Sequence, residues 1–181
     1  MATHRRGLLK NAVAAAGFLI LRPLRAETFL SRAEAQALIF PNIALSPVDV
    51  VLTAAQMQAI RDQSKMQVHQ NKLQAWRSAA GDWFLLDQVI GKHEFIDLGV
   101  GISKVGAIVG IEILTYRESY GGEIRNPKWR AQFQNRKPDA LPMRLDQHIR
   151  NISGATLSCR HVTDGVNRLL ATWQQALAQL S

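Results

Sequence analysis

Ser153-Gly154-Ala155-Thr156-Leu157-Ser158 gathers three hydroxyls, a glycine and an alanine immediately ahead of the best helical pattern in the chain. Val162, Val166, Leu169, Leu170, Trp173, Leu177 and Leu180 recur at threes and fours, which predicts a helix starting just after Thr156 with one apolar face for packing on a sheet. The first turn of a helix has N–H groups without intrahelical partners and carries the positive end of the dipole, so this start suits a phosphate. Small residues let the backbone approach an anion, and hydroxyls can donate to it. The same residues also suit an ordinary helix cap, with Thr156 or Ser158 accepting from N–H groups a turn later.

Other chemistry-bearing residues form weaker patterns. Cys159 is the only cysteine, so no intramolecular disulfide can form, and its expected role is as a small packing residue. Cys159 with His161 is a two-ligand metal pattern without a third ligand, and His69, His93 and His148 are scattered. Neither a phosphate-loop nor a dinucleotide fingerprint occurs, and no paired acid–base residues mark a self-sufficient reductase. Asn151-Ile152-Ser153 is formally a glycosylation acceptor, but Ser153 belongs to the hydroxyl-rich run.

The elements that must position these groups follow from periodicity. Ser31 to Leu38 predicts a short helix, Pro41 and Pro47 an extended connection, and Thr53 with Gln56 the cap of a helix continued by Ala59, Ile60 and Met66. The segment from Lys72 to Trp83 has no clear period, though Gly81-Asp82 reads as a turn. Ile96, Leu98, Val100 and Ile102 alternate, Ser103 to Gly106 turns the chain, and Val109, Ile111 and Ile113 resume the alternation, which predicts a hairpin. Its second strand delivers Tyr116, Arg117, Glu118 and Ser119, after which Gly121-Gly122 breaks regular pairing. A short helix is expected from Pro127 through Phe133. Of the four tryptophans, Trp76, Trp83 and Trp173 are expected in the core, and Trp129 is the one placed to face a ring. The whole predicts a single α+β domain with a mostly antiparallel sheet, flanking helices and a long C-terminal helix.

Composition fits that reading: 47% hydrophobic and 20% charged residues are close to the globular average. The formal charge of +8 is concentrated early, because Arg5, Arg6, Lys10, Arg22 and Arg25 precede Glu27 with no acidic residue among them. Taking those five from the 22 basic residues leaves 17 against 14 acidic ones, about +3, so nothing demands a nucleic-acid partner. Residues 1–26 have the layout of an export signal: a basic start with paired arginines, an apolar stretch from Ala12 to Leu21, and Leu24-Arg25-Ala26 as a cleavage site. The paired arginines followed by Leu8-Leu9-Lys10 resemble the twin-arginine type. The expected division is therefore a leader over 1–26 and one domain over 27–181.

The Ser153–Ser158 run resembles the flavinylation motif of the FMN-binding domain family, found in the flavin-bearing subunits of the sodium-pumping NADH:quinone reductase and the Rnf complexes. A chance match at four fixed positions in a chain of this length has a probability below about one per cent. Gly91-Lys92-His93-Glu94, the hairpin ending Tyr116-Arg117-Glu118-Ser119-Tyr120-Gly121, then Trp129 and Phe133, and Val162 to Val166 resemble the family's other segments, so the likeness covers roughly 80–175. It implies FMN esterified through its phosphate to Thr156, with Ser153, Gly154, Ala155, Leu157 and Ser158 around the attachment and Glu118 and Gly121 beside the cofactor. The chain has Glu118-Ser119-Tyr120-Gly121 where subunit-type members carry Glu-Thr-Pro-Gly, so it lacks a proline constraint there. The resemblance further implies a magnesium-dependent flavin transferase as maturation partner, a periplasmic or extracytoplasmic location, and electron exchange with a membrane donor or a separate reductase. A module of the same fold holding flavin without the ester, or serving as a scaffold, is the alternative.

Overall fold

The computed structural model describes residues 27–91, 93–118 and 120–180; the expected leader, Lys92 and Ser119 lie outside them. Five strands follow one another across one sheet: β2 (Leu45–Val51), β3 (Lys72–Ser78), β4 (Trp83–Ile90), β5 (Phe95–Ile102) and β6 (Ile108–Tyr116). A two-residue β1 (Glu27–Thr28) pairs with the far end of β6, and every pairing is antiparallel. This is the α+β architecture expected from the sequence, with consecutive strands as neighbours.

The helices take the two faces of the sheet. Ser31 caps α1 (Arg32–Ile39) and Thr53 caps α2 (Ala54–Ser64), each in a reciprocal capping box with Glu34 and Gln56 respectively. The helix α2 stops at Ser64 because Lys65 takes the left-handed conformation, φ 64°, so Met66 lies beyond it rather than continuing it. The first helix packs Ala35, Ile39 and Phe40 against Trp76, Phe84 and Leu114 on one face. The opposite face carries the larger core, where Ile96, Leu98, Val100 and Ile102 meet Val162, Val166 and Leu170 of α4 (Thr156–Thr172). Gly165 sets the approach: a Cβ there would lie 2.4 Å from Val89 Cγ1, so α4 can rest on β4 only with a glycine at the crossing. Beyond Thr172 the chain continues as one π-helical turn and a final 3₁₀ turn to Leu180.

Three local readings change. Pro47 sits inside β2 rather than in a free connection, tolerated because β2 is an edge strand. Lys72 to Trp83 belongs to a β3–β4 hairpin turning through Gly81, φ 98°; Trp83, Phe84 and Leu85 are buried in succession, on both faces, which erased the alternation. A register shift at the start of β6 puts Ile108 opposite Ile102, so Val109 turns to the α1 face while Ile111 and Ile113 stay in the main core.

The outer edge of β6 is covered piecewise. β1 pairs with Thr115 and Tyr116, Phe29 and Leu30 N–H donate to the Leu114 carbonyl, Arg130 reaches the Ile111 carbonyl, and Asn135 and Arg136 pair with Ile108.

Candidate functional site

Thr156 is the first residue of α4, preceded by Ala155 in the N-cap position. No side chain caps this helix, so the cap reading of Thr156 and Ser158 is not realised, and the first-turn N–H groups remain open to another acceptor. The half-buried Thr156 hydroxyl accepts a hydrogen bond of 2.9 Å from Asn151 Nδ2. That bond leaves the hydroxyl proton unengaged and is equally compatible with an ester oxygen, which can only accept. The Asn151 Oδ1 is buried without a partner. Ser153 and Gly154 are exposed, and a Cβ on Gly154 would meet nothing within 4 Å, so the approach to Thr156 is open. A half-buried hydroxyl, small neighbours and an uncapped helix start fit a phosphate-bearing cofactor.

Ser158 has a different role from its neighbours. It is buried, and its Oγ lies 2.8 Å from the Tyr116 hydroxyl, which also donates to the Tyr120 carbonyl. Gly121, φ 93°, lies over this pair: a Cβ there would come within 2.5 Å of the Tyr116 hydroxyl and 2.8 Å of Ser158 Oγ. Through these contacts the segment after β6 is held against the start of α4. Gly121, Ser158 and Thr156 therefore share one end of the molecule, where the Tyr120 and Leu157 side chains are exposed.

Glu118 is occupied in a way the sequence did not foreshadow. Its carboxylate accepts from the backbone N–H groups of His93 and Glu94, bracing the β4–β5 turn. Nearby, Arg117 bridges Asp97 at 3.0 Å and the Phe95 carbonyl at 3.0 Å. Burial pushes the Asp97 carboxyl up, but Arg117 with hydrogen bonds from Gln88 and Thr115 holds it below its ordinary value. The strand ends around the turn are thus tied together by charge-assisted bonds.

Trp129, the tryptophan placed to face a ring, is instead buried like the other three. It stacks edge-on against Phe133, and its Nε1 donates to the Arg150 carbonyl at 2.8 Å, fixing the loop that leads to the motif. Asn167 anchors the same loop from α4, accepting from Met143 N–H at 3.0 Å and donating to its carbonyl at 2.9 Å. Asn167 does not announce itself in the sequence, because a lone asparagine carries no pattern, and Asn151 stands out there only as the start of a formal glycosylation acceptor. Cys159 is fully buried in the core and burial raises its thiol pKa, consistent with packing. Among the described residues no group of three or more metal-ligating side chains occurs.

An α+β domain that presents a hydroxyl on an open, uncapped helix start has a place where a phosphate-bearing cofactor could be anchored. The family model of the FMN-binding domain matches residues 91–171, from the β4–β5 turn to the last turns of α4, so this part of the chain is similar to an FMN-binding domain. The match includes the whole Ser153–Ser158 run together with Glu118 and Gly121. No curated protein matches the chain.

Proposed function

We propose that the protein is an extracytoplasmic electron carrier whose FMN is held by a phosphoester to Thr156. The observation that carries this reading is the Thr156 hydroxyl, half-buried at the uncapped start of α4, inside the stretch similar to an FMN-binding domain. Among the described residues the hydrogen-bond partner of the Thr156 hydroxyl is the Asn151 amide, which is no base to activate it. Attachment therefore depends on an outside flavin transferase, which uses FAD: the Thr156 oxygen bonds to the FMN phosphorus, the pyrophosphate bond breaks, and AMP leaves while the hydroxyl proton passes to solvent.

The chain's own residues bind and orient. Asn151 fixes the threonine rotamer, the α4 dipole and first-turn N–H groups favour the phosphate charge, and Tyr116 with Ser158 holds the Gly121 segment in place. Tyr120 and Leu157, 87% and 42% exposed, offer apolar surface for a ring. Bound flavin would supply one- and two-electron exchange, and partners reach it from solvent: a membrane donor on one side, a separate reductase on the other.

The test is flavin fluorescence on a denaturing gel, with intact mass, for the protein co-produced with a flavin transferase. Wild type is expected to retain fluorescence and the mass of one FMN, and Thr156→Ala to lose both. Flavin that is absent from denatured wild type but present in the native protein would instead establish a non-covalent flavin module.

A further inference from the structure

The net charge of residues 27–181 is small but unevenly placed. Between Tyr120 and Ala155 there are seven Lys and Arg against three Asp and Glu, a net +4, whereas the whole of 27–181 has 17 against 14. This stretch is the excursion from the end of β6 to the start of α4, and it lies on the domain as a one-sided plate: Ile124, Trp129, Phe133, Met143 and Ile149 are buried in the main core. Its outer side carries the charge, with Arg125, Lys128, Lys137, Arg144 and Arg150 all exposed. Hydrogen bonds hold the two legs of the plate together. Trp129 Nε1 donates to the Arg150 carbonyl at 2.8 Å, Gln132 Oε1 accepts from the Arg150 N–H at 2.7 Å, and Arg136 donates to the His148 carbonyl at 3.2 Å.

Most of this charge is left unneutralised. Arg130 pairs with Glu112, and none of the other six cations forms an ion pair among the described residues. Arg136 donates to carbonyls, and Arg125 donates to the Gly122 carbonyl and lies over the Phe29 ring, so both keep their full charge. The plate reaches the attachment point: Arg150 precedes Asn151, whose amide donates to the Thr156 hydroxyl at 2.9 Å. Arg160 is exposed one helical turn past Thr156, and helical side chains lean toward the N-terminus of their helix. Glu123, Asp139 and Asp146 are scattered among the cations, and Tyr120 is the one large apolar side chain of the stretch that is exposed among the described residues. A lipid headgroup layer is held by apolar insertion together with cations alone, so interspersed carboxylates and a single exposed ring suit it poorly. A folded acidic surface offers both signs in a fixed pattern, against which interspersed acids can set a register.

We propose that this plate is a docking face for an acidic protein partner, which it brings against Thr156. Charge complementarity of this kind speeds encounter more than it tightens the complex, and so suits a partner that must leave again. Docking itself needs no flavin. A role for the partner in electron exchange with the flavin rests on the function proposed above.

The probe is reduced plastocyanin, a small acidic copper protein, titrated into the isotope-labelled full chain carrying Thr156→Ala and followed by amide NMR shifts. Saturable shifts confined to residues 120–160 are expected at low salt and lost at high salt, with basic cytochrome c giving none. Arg144→Glu with Arg150→Glu should weaken binding about tenfold. Lys65→Glu with Lys104→Glu, the same change of net charge at exposed sites elsewhere, should leave it within about twofold. Circular-dichroism melts check that both variants fold. No saturable binding, shifts centred outside 120–160, or equal weakening by the two pairs overturns the proposal, as does tighter binding to phosphatidylglycerol vesicles than to plastocyanin. In the flavin-loaded chain, reduced with dithionite, stopped-flow electron transfer to oxidised plastocyanin should slow about tenfold on reversing Arg144 and Arg150; a rate indifferent to them overturns the placement of the partner against Thr156. Because the titration uses Thr156→Ala, it reads docking whether or not flavin attaches, so failure of this proposal and failure of the flavin ester are told apart.

Discussion

Tyr116 ends β6 with its backbone paired to Glu27, while its phenol joins Ser158 of α4 to the Tyr120 carbonyl. Gly121 is the residue that makes this junction possible, since it combines a left-handed φ with a backbone lying directly over both hydroxyls. Gly121→Ala is expected to lose about 1–3 kcal/mol in urea unfolding through backbone strain alone, and to lower flavin loading by displacing the start of α4. Unchanged stability would mean the segment relaxes away from Tyr116. At this scale the sequence was partly legible: the motif and Gly121 could be picked out by type and spacing. The work of Glu118 could not, because its partners are backbone N–H groups of a turn more than twenty residues away, which no side-chain pattern records.

Among the elements, α4 was the most legible, since one buried face repeated at threes and fours leaves a clear trace. The β3–β4 hairpin was the least, because a strand packed on both faces by α1 and α4 loses its alternation. Bulges in β6 hid which of its residues face α1. What positions α4 relative to the motif loop is the Asn167–Met143 double hydrogen bond, buried between them. Asn167→Ala leaves both Met143 backbone groups unpaired, and a loss of roughly 1–3 kcal/mol is expected in denaturant titration. Hydrogen exchange should localise the effect to residues 141–155, with β4 and β5 protected as before. Uniform loosening of the sheet would show that Asn167 supports the core rather than the loop.

For the molecule as a whole, pH dependence includes an adverse contribution from one carboxyl. Burial raises the Asp164 carboxyl, partly offset by His161, Arg160 and Arg168. A folded-state value above the unfolded one means the native protein holds this proton more tightly. Stability from this group is therefore complete below the unfolded value and declines as pH rises through the folded one. Asp164→Asn removes that decline, so its Tm should exceed that of wild type at pH 7, with the gap closing as pH falls through the ordinary carboxylate range near about 4. A constant gap across pH would assign the difference to packing instead.

Both borders of the sheet are also interrupted for further strands, among the described residues. On one side Pro47 removes a donor from the middle of β2, and on the other β1, Arg130, Asn135 and Arg136 occupy the partners that β6 would offer. Two copies brought together at high concentration thus find no continuous ladder to extend, and encounters between molecules are left to side-chain surfaces such as the exposed Tyr120 and Leu157 beside Thr156. A protein built this way offers no uninterrupted strand edge, and the surface it keeps for brief contacts is the one next to the proposed flavin attachment at Thr156.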